Sequence, residues 1–177
     1  VYFSPEEVGL GKREKVSDVA KVISKMSEVV ILRTYKHSTI EEFSKNSSVP
    51  VINALSDREH PCQALCDLLT IKEKMDEDLK NISITFVGDG NNVATSLAKA
   101  ILTCGGTFIH SCPKGYEIPK EDLIAIDDLQ KKYDGNFSIE NDINMSVKNS
   151  DIVYTDVWAS MGQESEQNKR IEDFKNY

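Results

Sequence analysis

Short β-branched runs alternate with helix-period segments along this chain, and that alternation narrows the possible folds more than any other feature. Val16, Val19, Ala20, Ile23 and Met26 share one helical face, and residues 28–33 follow as a strand. Ser38 is placed to cap a short helix through Lys45, with a buried strand next over 49–55. A helix is expected over 61–75, with Pro61 at its first position, where no backbone N–H is needed. The pattern then repeats. Residues 82–87 read as a strand, 92–103 as a helix, 107–112 as a strand and 119–133 as a helix. A short edge strand at 137–139, a strand at 151–155 and a mostly charged helix at 163–175 complete the reading. Such alternation predicts the α/β class, as two parallel-sheet units with helices on both faces. The charged stretch Lys72-Glu73-Lys74-Met75-Asp76-Glu77-Asp78 is the expected hinge, which divides the chain into 1–78 and 79–177.

Composition removes several function classes. With a net charge of −8, nucleic acid and anionic membrane surfaces are not the expected partners. No apolar run approaches the roughly 20 residues needed to cross a bilayer. The first residues carry neither the basic start nor the apolar core of a signal peptide, so the expected location is cytoplasmic. Cys62 and Cys66 lie one helical turn apart, and no second pair completes a zinc-ribbon spacing. Reduced, partly buried thiols and no metal are therefore expected, as is usual for cytosolic proteins.

Ligands of parallel α/β sheets bind beyond the carboxyl ends of the strands. Arg33, His60, Asn92 and Asp156 all fall at or just after predicted strand ends. His60-Pro61-Cys62-Gln63 marks a helix N-terminus, where N–H groups and the helix dipole favour an anion. An imidazole and a carboxamide there can add hydrogen bonds to a phosphate or a polarised carbonyl, although this segment alone favours a plain helix start with a capping histidine. Arg33 offers a planar fork for phosphate or carbonyl oxygens, and would otherwise be a solvated arginine. Gly88-Asp89-Gly90-Asn91-Asn92 lacks the third glycine of a dinucleotide loop, since Val93 stands in its place. A tight turn capped by asparagine fits it as well. Asp156 could pair with an ammonium group or merely end a strand. Trp158 is expected in packing, while His37 and His110 have no assignable partners.

Three motifs in order, His60-Pro61-Cys62-Gln63, Gly88-Asp89-Gly90-Asn91-Asn92 and Asp156-Val157-Trp158-Ala159-Ser160-Met161-Gly162-Gln163-Glu164, make the chain resemble the ornithine carbamoyltransferases. The resemblance runs across essentially all 177 residues. It implies transfer of a carbamoyl group from carbamoyl phosphate to the side-chain amine of L-ornithine, giving L-citrulline and phosphate. It implies no cofactor, and a homotrimer with sites between subunits. On the same grounds Arg33 and His60 would be catalytic, with Gln63 completing the carbamoyl phosphate site. Gln63 would accept from the carbamoyl amide. Asn92, Asp156, Ser160 and Met161 would hold ornithine. Residues 1–78 would be the later part of the carbamoyl phosphate-binding domain and 79–177 the earlier part of the ornithine-binding domain, so each sheet would be incomplete relative to the family.

The chain also departs from that pattern. The family's Ser-Thr-Arg-Thr-Arg and His-Cys-Leu-Pro motifs do not occur in it, and Gly9 stands where relatives commonly carry a polar residue. Losing an arginine-bearing loop would remove several charge-assisted hydrogen bonds to phosphate, each contributing about 1.5–3 kcal/mol. A non-catalytic relative, binding a ligand or forming oligomers, is the alternative expectation.

Overall fold

A computed structural model describes residues 1–159 and 164–177. The chain is α/β and contains two parallel sheets, one of two strands and one of four. It divides into two compact units, 1–59 and 60–177.

In the first unit, helix α1 (Pro5–Val8) opens on a capping box formed by Ser4 and Glu7. Helices α2 (Val16–Ile23) and α3 (His37–Asn46) accompany strands β1 (Val30–Arg33) and β2 (Val51–Leu55). The strands are parallel, with an irregularity between Leu32 and Arg33. Val16, Val19, Ala20, Val30 and Phe43 form the core. Because successive strand residues face opposite sides, Ile31 and Ile52, paired across the strands, stand together on the other face. Ile31 is 64% exposed there.

The second unit opens with α4 (Pro61–Lys74) and a 3-10 turn, Leu79–Asn81. Strands β3 (Ser83–Val87), β4 (Thr107–Ser111), β5 (Asn136–Glu140) and β6 (Ile152–Thr155) follow, with helices α5 (Asn92–Thr103), α6 (Lys120–Tyr133), α7 (Ile143–Val147) and α8 (Gln167–Asp173) between and after them. The strand order is β5-β4-β3-β6, all parallel. Ile84 and Phe86 on β3 bury their side chains with Ala64 and Leu68 of α4 and Leu97 and Ile101 of α5. Thr85 points the opposite way, and its hydroxyl donates to the Ser146 carbonyl of α7 at 2.8 Å. Helices therefore cover both faces. The chain runs outward from β3 through β4 to β5, then returns to the other side of β3 as β6. That reversal makes the carboxyl ends of β3 and β6 a topological switch point, the usual ligand crevice of open parallel sheets.

Several expectations shift in detail. Ser38 lies inside the first turn of α3, and Lys36 takes the N-cap position. The final charged helix is shorter than expected, a 3-10 turn at Glu164–Glu166 followed by α8. The short α7 went unread because only five residues carry it, too few for a periodic signal. All four cysteines are thiols outside any disulfide, with Cys66 exposed and Cys112 buried. No helix among the described residues is long and apolar enough to cross a membrane.

Candidate functional site

The switch point is built by a turn that admits few side chains. A Cβ on Gly90 would lie 2.3 Å from the backbone nitrogen of Ile118 and 2.4 Å from the carbonyl carbon of Glu117, so only glycine fits. Gly90 also donates its N–H to the Tyr116 carbonyl at 2.8 Å. Asn91 is the N-cap of α5: its Oδ1 accepts from the N–H groups of Val93 and Ala94, each at 3.0 Å. Asn91 Nδ2 donates to Asp156 Oδ2 at 3.0 Å. Val87 and Thr155 are register partners at the ends of β3 and β6, so the turn after one strand meets the residue after the other. Asn92 is the first residue of α5, and its Oδ1 accepts from the Val93 N–H at 3.0 Å. Asn91 thus ties the start of α5 to Asp156.

Behind the turn lies a buried ion pair. Asp89 Oδ2 accepts from Arg170 Nη1 at 2.8 Å, and the same nitrogen donates to the Trp158 carbonyl at 2.9 Å. Burial pushes the Asp89 carboxyl above its ordinary value, and Arg170 opposes the shift. Arg170 also stacks over the Tyr116 ring at 5.0 Å, while half-buried Trp158 stacks on Phe174 at 5.5 Å. On the next strand, buried His110 gives Nε2–H to the Gly88 carbonyl at 3.0 Å. A carbonyl only accepts, which fixes this tautomer. Burial lowers the His110 pKa to about 4, so the ring is neutral at physiological pH.

His60 and Gln63 stand at the start of α4. His60 is the N-cap residue, yet its side chain does not cap the helix. Its backbone N–H donates to the Ser96 hydroxyl of α5 at 2.8 Å, one turn beyond Asn92. Half-buried Gln63 donates Nε2–H to Asp67 Oδ1 at 2.9 Å, and the Tyr154 hydroxyl donates to Asp67 Oδ2 at 3.1 Å. Tyr154 precedes Asp156 by two residues on β6. Hydrogen bonds therefore run from α4 to β6, and from the end of β6 to the start of α5.

Of the residues singled out by sequence, His60, Gln63, Asn92 and Asp156 belong to the second compact unit. Arg33 belongs to the first, exposed at the end of β1 opposite Leu55. Ser160 and Met161 lie outside the described residues. Sequence reasoning missed Asn91, Asp67, Tyr154 and the Asp89–Arg170 pair. The capping position before a helix could have pointed to Asn91, but the pairs that span most of the unit leave no local signal. Both histidines left without partners have them: His110 as above, and His37, whose Nδ1 lies 2.8 Å from the Ser56 hydroxyl in the first unit. Among the described residues no three His, Cys, Asp or Glu side chains are grouped to hold a metal ion.

Two family models divide the chain between them. Residues 1–73 match the carbamoyl-P binding domain of aspartate/ornithine carbamoyltransferases, and residues 80–177 match the Asp/Orn binding domain. The chain belongs to the aspartate/ornithine carbamoyltransferase family. Ornithine carbamoyltransferase of Caldicellulosiruptor saccharolyticus is 43% identical over 177 residues, covering 100% of this chain and 57% of its own length. The Methanopyrus kandleri enzyme of the same name is 42% identical over 175 residues, 99% of this chain and 55% of its own. Among solved structures, ornithine carbamoyltransferase from Pyrococcus furiosus superposes with a TM-score of 0.91 at 39% identity, over 98% of this chain and 55% of that one. The chain thus spans a little over half the length of the family members it matches.

Proposed function

We propose that this chain carries part of an ornithine carbamoyltransferase site, for transfer of a carbamoyl group from carbamoyl phosphate to the side-chain amine of L-ornithine. The observation that carries the reading is the Asn91–Asp156 contact at the switch point of the sheet matched by the Asp/Orn binding model. An acidic, amide-lined end suits a diamino acid; an aspartate substrate would call for cations to meet its second carboxylate. In this reading Asp156 and Asn92 bind ornithine, joined by Ser160 and Met161. Arg33 and the start of α4, with His60 and Gln63, hold carbamoyl phosphate. The same reading takes 1–78 as part of the carbamoyl phosphate-binding domain and 79–177 as part of the ornithine-binding domain, a division set by family likeness and distinct from that of the two compact units. Assembly as a cytoplasmic homotrimer belongs to the same reading.

The chemistry asks little beyond positioning. An amine attacks the carbamoyl carbon, phosphate leaves, and no covalent enzyme intermediate is needed. Arg33 neutralises phosphate charge, and the α4 N-terminus adds its dipole. His60 donates to the carbonyl oxygen where negative charge develops. Asp156 draws the substrate's ammonium group and so aligns the amine that attacks. The test is citrulline formation by the folded 177-residue chain given carbamoyl phosphate and ornithine. Citrulline that vanishes in His60→Ala supports the reading. A folded chain that forms none and binds neither substrate overturns it in favour of a non-catalytic relative.

A further inference from the structure

Gln63 is held through its amide nitrogen, and which end is held decides what the other can recognise. A carboxamide presents a donor at Nε2 and an acceptor at Oε1. Asp67, as a carboxylate, can only accept, and each of its oxygens takes a separate donor: Gln63 Nε2 at 2.9 Å and the Tyr154 hydroxyl at 3.1 Å. With the amide nitrogen committed to Asp67, Oε1 is the end turned from this anchor. Were the amide reversed, its oxygen would face a carboxylate oxygen, two acceptors in contact.

We propose that Asp67, steadied by Tyr154, is a positioning residue that locks the Gln63 carboxamide with Oε1 outward, so that the site selects a ligand bearing an N–H donor beside its phosphate. The ligand half of this inference rests on the function proposed above; the orientation half does not. Three elements cooperate. Gln63 and Asp67 lie one turn apart on α4, so their side chains meet on a single face. Tyr154 reaches Asp67 from β6, 87 residues along the chain. The Tyr154 ring is itself fixed by stacking on Phe86 at 5.4 Å. Burial and then the Asp67 charge push the Tyr154 phenol well above its ordinary value, which keeps it a donor. The predicted preference is for a carbamoyl over an acetyl group, because NH2 donates to Oε1 and CH3 does not.

The experiment uses the full 177-residue chain and two stable phosphonates that differ only in NH2 for CH3, phosphonoacetamide and acetonylphosphonate. Orientation is read first without ligand, from the Gln63 side-chain amide signals in 15N NMR spectra. One Nε2 proton is expected downfield and slow to exchange in the parent, and released in Asp67→Asn. That near-isosteric change lets residue 67 donate to Oε1 and turns the amide around. The parent should prefer phosphonoacetamide by about tenfold, the factor one hydrogen bond supplies, and Asp67→Asn should bring the ratio near one. Tyr154→Phe, which removes only the second donor, should give a smaller fall in the same direction. A ratio that stays constant while both affinities drop would mean that Asp67 merely supports the fold, and would overturn the proposal. An unshifted amide in the parent would overturn it as well. If the amide signature is present and neither phosphonate binds, the orientation stands, and the selection fails together with the proposed carbamoyl phosphate site.

Discussion

The two compact units solve the same problem with unequal means. In the second unit the central strand β3 is closed on both sides by β4 and β6 and on both faces by helices, and Ile84, Thr85 and Phe86 are fully buried. The first unit has two strands, and Ile31 and Ile52 leave one sheet face open. A sheet buried on both faces can hold a continuous apolar strand, whereas a half-covered one needs alternation. The sequence of β1, Val30-Ile31-Leu32-Arg33, is as apolar as that of a fully buried strand. Its face is therefore composed for burial that the first unit does not itself provide. The contrast separates residues that stabilise from residues that merely look as if they should.

Substitutions can break or sharpen that contrast. The largest effect is expected for Phe86→Ala, which empties the centre of the second core and removes ring contacts to Phe108 at 6.3 Å and Tyr154 at 5.4 Å. A loss of about 3–5 kcal/mol is expected in urea unfolding followed by Trp158 fluorescence. A loss below about 1 kcal/mol would mean that β3 is less tightly enclosed than its burial implies.

Next in size is a pH effect confined to the second unit. His110 has a folded pKa of about 4 against the ordinary 6.5. Between those values the unfolded chain binds a proton that the folded chain refuses, so stability rises with pH across this window. Lowering the pH from 6.5 to 4 should cost up to about 3 kcal/mol through this group. His110→Gln keeps a donor for the Gly88 carbonyl and does not titrate. Its stability should be flatter than the parent's over the same range, and parallel profiles would refute the assignment.

The smallest effect is expected for Ile31→Thr on the open face of the first unit. Removing apolar area that is already exposed should change stability by no more than about 0.5 kcal/mol. A cost of 2 kcal/mol or more, on the scale of a buried side chain, would show that something covers this face in solution. Chemical-shift changes in Ile52, its register partner, would locate the contact.

Much of the fold was legible because its signals are local. Apolar period 2 and period 3.6 marked most strands and the longer helices, and Pro61 marked the start of α4. Around the switch point, the places of Asn92 and Asp156 beyond strand ends were legible. Asn91 was not singled out, because a cap and a site residue share one composition until the neighbouring strand is known. Asp67 read as a polar residue on a helix, and nothing near it in sequence names Tyr154 as its partner. His110, in a strand of mixed residues, gave no sign that its neutral ring would support the Gly88 turn.

The sequence by itself determined the class of fold, the parallel pairing that strand–helix alternation imposes, and the family through three ordered motifs. Backbone hydrogen bonding and side-chain periodicity are set within a few residues, so a linear pattern can carry them. Only the tertiary structure decided the strand order β5-β4-β3-β6, and with it the switch point where Asn91 meets Asp156. It also decided that Arg170 neutralises Asp89 across 81 residues and that Tyr154 reaches Asp67 across 87. Those choices depend on which distant polar groups are buried side by side. Burial makes an unpaired polar group costly, and only the packed chain shows which pairs meet that cost.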